Sequence, residues 1–206
     1  MQMKIKTYCL VLLAIFLSGC AAIYNPIEPA YLNYELAGNY QGLKLSYRYG
    51  VLAELNNKRF AKKESKNKLQ VIALKIENTT DRSFVFEKDF VFTSENQPLV
   101  LEENQKVAQL LKQKSWPSLA FLLFALTPQV QTTNGASVAN FPAGLVAGPL
   151  LSLGNIIVKV NSNKQFQAEL AYNTIIAKEI KPKETAYAII TISAESPKPI
   201  ELKFLF

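Results

Sequence analysis

The chain has 206 residues, 49% apolar and 19% charged, the proportions of a folded chain and not of a disordered one. It contains no histidine, which removes the Ser-His-Asp and Cys-His constellations and nearly all zinc and haem sites. A formal charge of +7 arises from 23 Lys and Arg against 16 Asp and Glu, and no P-loop, GxGxxG or DxDxDG loop accompanies it.

Met1 to Lys6 carries Lys4 and Lys6 and no acid, and an uncharged run from Thr7 to Leu17 follows. That is the order of a secretory signal, and the apolar run is too short to cross a bilayer comfortably. It closes on Leu17-Ser18-Gly19-Cys20. The tetrapeptide resembles the lipobox of bacterial lipoproteins, in which small residues let the peptidase close over the backbone and the thiol takes a diacylglycerol. The resemblance implies that residues 1–19 are a removed signal peptide and that Cys20 is a lipidated N-terminus holding the chain on a membrane of the cell envelope. Two or three acyl chains anchor stably where one is marginal. Ala21 in place of an acid leans the expectation toward the outer membrane. Loss of Lys4 and Lys6 leaves 21 basic against 16 acidic residues, a net +5. With Cys9 cleaved away and Cys20 acylated, no thiol is left for a disulfide, a nucleophile or a metal. No cofactor is expected.

Residues 20–40 read as a lipidated tether, because Pro26 and Pro29 oppose a regular helix, and Tyr24, Tyr31, Tyr34 and Tyr40 suggest partial packing on the domain or rest at the membrane interface. Residues 41–206 are expected to form a single domain. Its first strand starts near Gly42, where Leu43, Leu45, Tyr47 and Tyr49 alternate with polar residues. The stretch from Asn56 to Lys68 holds Lys58, Arg59, Lys62, Lys63, Lys66 and Lys68 against Glu64 alone. It reads either as a solvated loop or as a contact for an anionic surface or acidic partner. A second strand spans Leu69 to Glu77, Asn78-Thr79-Thr80-Asp81 is turn chemistry, Phe84 to Phe92 continues the strand signal, and Leu99 to Leu101 adds a short edge strand. Late in the chain come a turn at Ile180 to Glu184, a strand from Tyr187 to Ile192 and an alternating one from Ile200 to Phe206.

Ser115 to Val158 contains no charged residue in 44 positions. Two apolar cores, Val107 to Leu126, which begins ahead of that stretch, and Ala143 to Val158 within it, predict a helical hairpin, with turns at Pro128 and Asn134-Gly135 between them. A third helix is expected after Asn161-Ser162-Asn163, with Phe166, Leu170 and Ile176 inside and Lys164 and Glu169 outside. The fold class is therefore mainly β with an α insertion (α+β): an antiparallel immunoglobulin-like β-sandwich carrying an apolar helical insertion at about 106–172. Residues 43–100 and 175–206 resemble immunoglobulin-like envelope lipoproteins, a likeness that implies no activity.

No catalytic residue and no metal ligand is assigned. Glu102-Glu103 reads as surface charge, Trp116 as core or binding platform, and Asn78, Thr79 and Asp81 as a turn or a set of cation oxygens. The expected function is non-enzymatic: an envelope lipoprotein, held to the membrane by Cys20, that binds or scaffolds another envelope component or protein, with nucleic acid excluded as a partner. The alternative is a membrane-active protein whose uncharged hairpin (115–158) inserts into the bilayer or a membrane partner.

Overall fold

The computed structural model describes residues 21–115, 130–133, 136–139 and 144–205, with the backbone alone between 130 and 152. Residues 1–19, Cys20, Trp116 and the apolar run from Leu119 to Leu126 lie outside the described residues. In chain order the elements are β1 (Glu35–Tyr40), β2 (Leu43–Arg48), α1 (Val51–Glu54), α2 (Lys58–Lys66), β3 (Leu69–Asn78), β4 (Phe84–Val85), β5 (Phe90–Ser94), β6 (Gln97–Pro98) and α3 (Asn104–Leu111). There follow β7 (Val130–Thr133), β8 (Ala136–Ala139), α4 (Gly144–Tyr172), β9 (Glu179–Ile180), β10 (Thr185–Ser193) and β11 (Glu201–Phe204). The structure is mixed α and β with antiparallel pairing between its strands. It divides into two compact units: Tyr24–Lys112 with Asn163–Phe206, and Gln113–Ser162 with the chain up to Ile23.

The larger unit is built on a sheet of order β1-β2-β3-β10, with smaller sheets β11-β5-β6 and β4-β9. β3 and β10 pair over their full lengths, from Thr185 opposite Glu77 to Ser193 opposite Leu69. The apolar run of β3 is explained by burial on both faces, since successive strand residues point to opposite sides. Ile72, Leu74 and Ile76 join Leu43, Leu45, Phe84, Phe90, Phe92, Ile190 and Leu202 in one core, shared with the smaller sheets. Leu69, Val71 and Ala73 join Val51, Phe60, Val107, Leu111, Phe166 and Leu170 in the other, so helices cover that face. At roughly 1.5–3 kcal/mol per buried large side chain, the two cores hold β3 far more firmly than intrinsic propensity does.

Several expectations are corrected. Strands begin at Glu35, inside the segment read as a tether, because a two-residue turn at Gln41-Gly42 folds β1 back onto β2. Both turn residues have positive φ, the primed geometry that matches strand twist, and a Cβ on Gly42 would come within 2.3 Å of Thr80 Cγ2. The basic stretch is no loop but helix α2, whose Phe60 and Glu64 lie one turn apart and face inward. Edge pairing occurs at Gln97–Pro98, with only a single bridge from Leu101 to Ile192. Between the two apolar cores stands a β-hairpin, β7 with β8, in the stretch read as turns; the second core is helical, and most of the first, from Trp116 on, lies outside the described residues.

The separate third helix does not exist: α4 is one helix of 29 residues running through Asn161-Ser162-Asn163. Ser162 is buried and donates its hydroxyl to Ala22 O at 3.1 Å, which outweighs the weak preference of Ser and Asn for helix starts. Phe166 and Leu170 do face inward, whereas Ile176 lies past the helix end and is exposed.

Candidate functional site

The segment from Tyr24 to Tyr34 forms a strap across the helical side of the larger unit, and one carboxylate organises it. Glu169 Oε2 accepts from the Tyr24 hydroxyl at 2.5 Å and from the Ile27 amide at 3.1 Å, while Oε1 accepts from the Glu28 amide at 2.8 Å. Charge-assisted bonds of this kind are about twice as strong as neutral ones. Glu169 was expected on the outer face; it points at the strap because Tyr24 is packed edge-on against Phe60 and Phe166 at 5.3 and 5.4 Å. Burial, then the bond to Glu169, holds the Tyr24 phenol well above its ordinary range.

A second clamp lies at Asn25, four residues upstream of Pro29's 3-10 turn. Asn57 donates Nδ2 to Asn25 O at 2.7 Å and accepts from Asn25 N at 2.8 Å through Oδ1. Asn57 sits at the N-cap position of α2 but spends its amide on the strap, not on the helix.

Between strap, α4 and β10 lies an open groove of about 770 Å³. Its aromatic lining is Tyr24, Tyr31, Tyr172 and Tyr187; Pro26 and Pro29 extend the apolar surface, and Gln165, Asn173, Lys178 and Thr185 supply polar groups. Tyr31 is 84% and Tyr172 88% exposed. The Lys178 ammonium donates to Tyr187 O at 3.1 Å, so the groove's cation is tied to β10.

The six basic candidates do not form one patch. Lys58, Lys62 and Lys66 are exposed and fall on one row of α2 at spacing i, i+4, i+8. Arg59 and Lys63 are half-buried, and Lys63 donates to Lys112 O at the C-terminus of α3, where a cation is favourable. Lys68 lies beyond the helix and pairs with Glu195 at 2.5 Å.

Cys20 is outside the described residues, but the residues that follow it are held. Ala21 N donates to Asn155 Oδ1 at 3.1 Å, and Ala22 exchanges two bonds with the buried Gln113 amide, at 3.3 and 2.7 Å.

The remaining candidates are structural. Asn78 is buried, accepts from Thr80 N at 2.9 Å and donates to Arg82 O and Lys181 O, which is turn and cross-strand bonding. Lys106 and Ser193 hold the Glu102 carboxyl below its usual range, at 2.6 Å each. Sequence reasoning missed Glu64, which is buried with its Oε1 accepting from Val71 N at 2.6 Å; burial pushes its carboxyl up to about 7. The signal was present in the spacing of Phe60 and Glu64 among lysines. Among the described residues, no group of three or more Cys, Asp or Glu is placed to hold a metal.

Comparison with protein-family models, curated proteins and solved structures finds no match to this chain.

Proposed function

We propose that the mature chain is a non-enzymatic binding lipoprotein of the cell envelope, anchored by Cys20 in the outer membrane, whose strap groove takes an oligosaccharide. The observation that carries it is the pair of exposed rings, Tyr31 and Tyr172, on a groove with amide and hydroxyl groups between its apolar walls. Sugars offer flat C–H faces for stacking on aromatic rings and hydroxyl edges for amides, and such rings add binding energy when they lose water. Two acids line the groove, Glu28 and Glu169, and both Glu169 oxygens are taken by the strap, so a general acid and base pair would lack a second free carboxylate there. The fold that goes with this function is an immunoglobulin-like sandwich with a helical layer on one face; the apolar core common to the four-stranded and three-stranded sheets supports it.

The test uses purified acylated protein in detergent micelles, titrated with a β-1,4-linked N-acetylglucosamine tetramer and followed by calorimetry. Saturable binding is expected, with Tyr31→Ala and Tyr172→Ala each weakening it by roughly tenfold at unchanged thermal stability. No heat of binding, or full affinity in the double variant, overturns the oligosaccharide groove.

A further inference from the structure

The strap groove is lined by two acids, Glu28 and Glu169, and one base, Lys178, on a chain that carries 23 Lys and Arg against 16 Asp and Glu. A groove of reversed sign favours a cation over the anions that the rest of the surface attracts. The three charges are not equally available. Both Glu169 oxygens accept from the strap, and the Lys178 ammonium is turned to Tyr187 O. The Glu28 carboxylate is exposed and, among the described residues, has no hydrogen-bond or ion-pair partner. Its backbone is fixed, unlike that of an ordinary surface acid. The Glu28 amide donates to Glu169 Oε1 at 2.8 Å, its carbonyl accepts from Tyr31 N at 2.9 Å, and the buried Pro29 follows. At φ 46° and ψ 69° the residue is in the left-handed region, which Gly or Asn occupies at lower cost. Non-glycine residues in such conformations gather at ligand sites. Tyr31, one of the two exposed rings, stands one 3-10 turn further on, so ring and carboxylate are carried by the same short turn.

We propose, resting on the oligosaccharide reading, that the groove prefers amino sugars bearing a free ammonium group over their N-acetylated counterparts, and that Glu28 sets this preference. A sugar ring stacked on Tyr31 or Tyr172 presents its polar substituents at the rim. An ammonium there pairs with the Glu28 carboxylate and gains further from the electron-rich tyrosine faces. An acetamido group in the same place carries no charge, and it takes water from the carboxylate without supplying a counter-charge.

Calorimetry on the purified protein in an uncharged detergent tests it, at about pH 6, where the amines of the ligand are protonated. The probes are a β-1,4-linked glucosamine tetramer, its fully N-acetylated form and tetralysine. The ratio of the two sugar affinities is taken for the native chain and for Glu28→Gln, so that contributions of the acetyl groups elsewhere in the groove cancel. Glu28→Gln should lower that ratio by about fivefold at about 10 mM salt and by less than about twofold at about 0.5 M, where exposed charges are screened. Glu28→Asp keeps the charge and should retain part of the preference. An equal ratio in the native chain and Glu28→Gln, with both sugars bound, overturns the role of Glu28 and leaves the oligosaccharide groove standing. Tetralysine bound as tightly as the glucosamine tetramer shows that charge alone is recognised, which also overturns it. No heat of binding from either tetramer removes the oligosaccharide reading and this inference together.

Discussion

Glu64 shows how a single side chain can set a pH dependence from inside a basic helix. It sits among Lys62, Lys63 and Lys66 in sequence, yet its carboxyl turns inward from α2 to the amide of Val71 on β3. Burial dominates and raises its folded pKa to about 7 from the ordinary 4.5, and the bond from Val71 offsets only part of that. Between these values the folded state binds the proton more tightly than the unfolded chain. Stability from Glu64 is therefore complete below about pH 4.5 and is lost as pH rises through about 7. In urea titrations at about pH 5 and about pH 8, this group should account for roughly 2–3 kcal/mol of lower stability at the higher pH. Glu64→Gln keeps an acceptor for Val71 and should flatten that difference. An unchanged slope in the variant would show that the carboxyl is hydrated in solution.

At the scale of elements, α4 is instructive because local signals misplace its boundaries. Asn161-Ser162-Asn163 has the composition of a helix start and Pro149 and Gly154 that of breaks, yet the helix runs unbroken from Gly144 to Tyr172. Ser162 and Phe166 are buried, and their packing outweighs propensities of about a kcal/mol or less per residue. Gly154 is left as the soft position. A Cβ there would meet nothing within 4 Å, and its φ is not in the left-handed region. Gly154→Ala should therefore stabilise the helix by about 0.5–1 kcal/mol, seen as a rise of roughly 2–4 °C in the circular-dichroism melt in micelles. A lower melting temperature would mean that the protein needs close approach to this backbone.

Across the larger unit, stability is expected to be uneven. The β3–β10 pair is buried on both sides, whereas the strap is held by Asn57, by the ring packing of Tyr24 and by the three bonds to Glu169. Glu169→Ala leaves a buried phenol and two amides without their acceptor, a loss of roughly 2–4 kcal/mol that should be local, not global. Hydrogen exchange should speed at Ile27 and Glu28 by at least an order of magnitude, with the amides of β3 unchanged. Equal acceleration in both places would show that strap and sheet open as one unit. The groove depends on the same clamp, so this variant should also lose oligosaccharide binding.

The sequence by itself determined three long strands of the larger unit, because their apolar residues and bounding turn residues mark them: Leu43 to Arg48, Leu69 to Asn78 and Thr185 to Ser193 are legible within a residue or two, whereas β1 is not. It also carried the Leu17-Ser18-Gly19-Cys20 tetrapeptide and the uncharged stretch, which are local patterns. Only the tertiary structure decided what the strap and the helices do. Glu169 is about 140 positions from its partners Ile27 and Glu28, and a carboxylate that accepts backbone amides leaves no mark in the sequence around it. α2 was hidden because its apolar face is only Phe60 and Ala61, with a buried acid completing the stripe. Tyr31 and Tyr172 meet at one groove because packing brought them there, and periodicity fixes which way a side chain faces along its own element but not what it will meet.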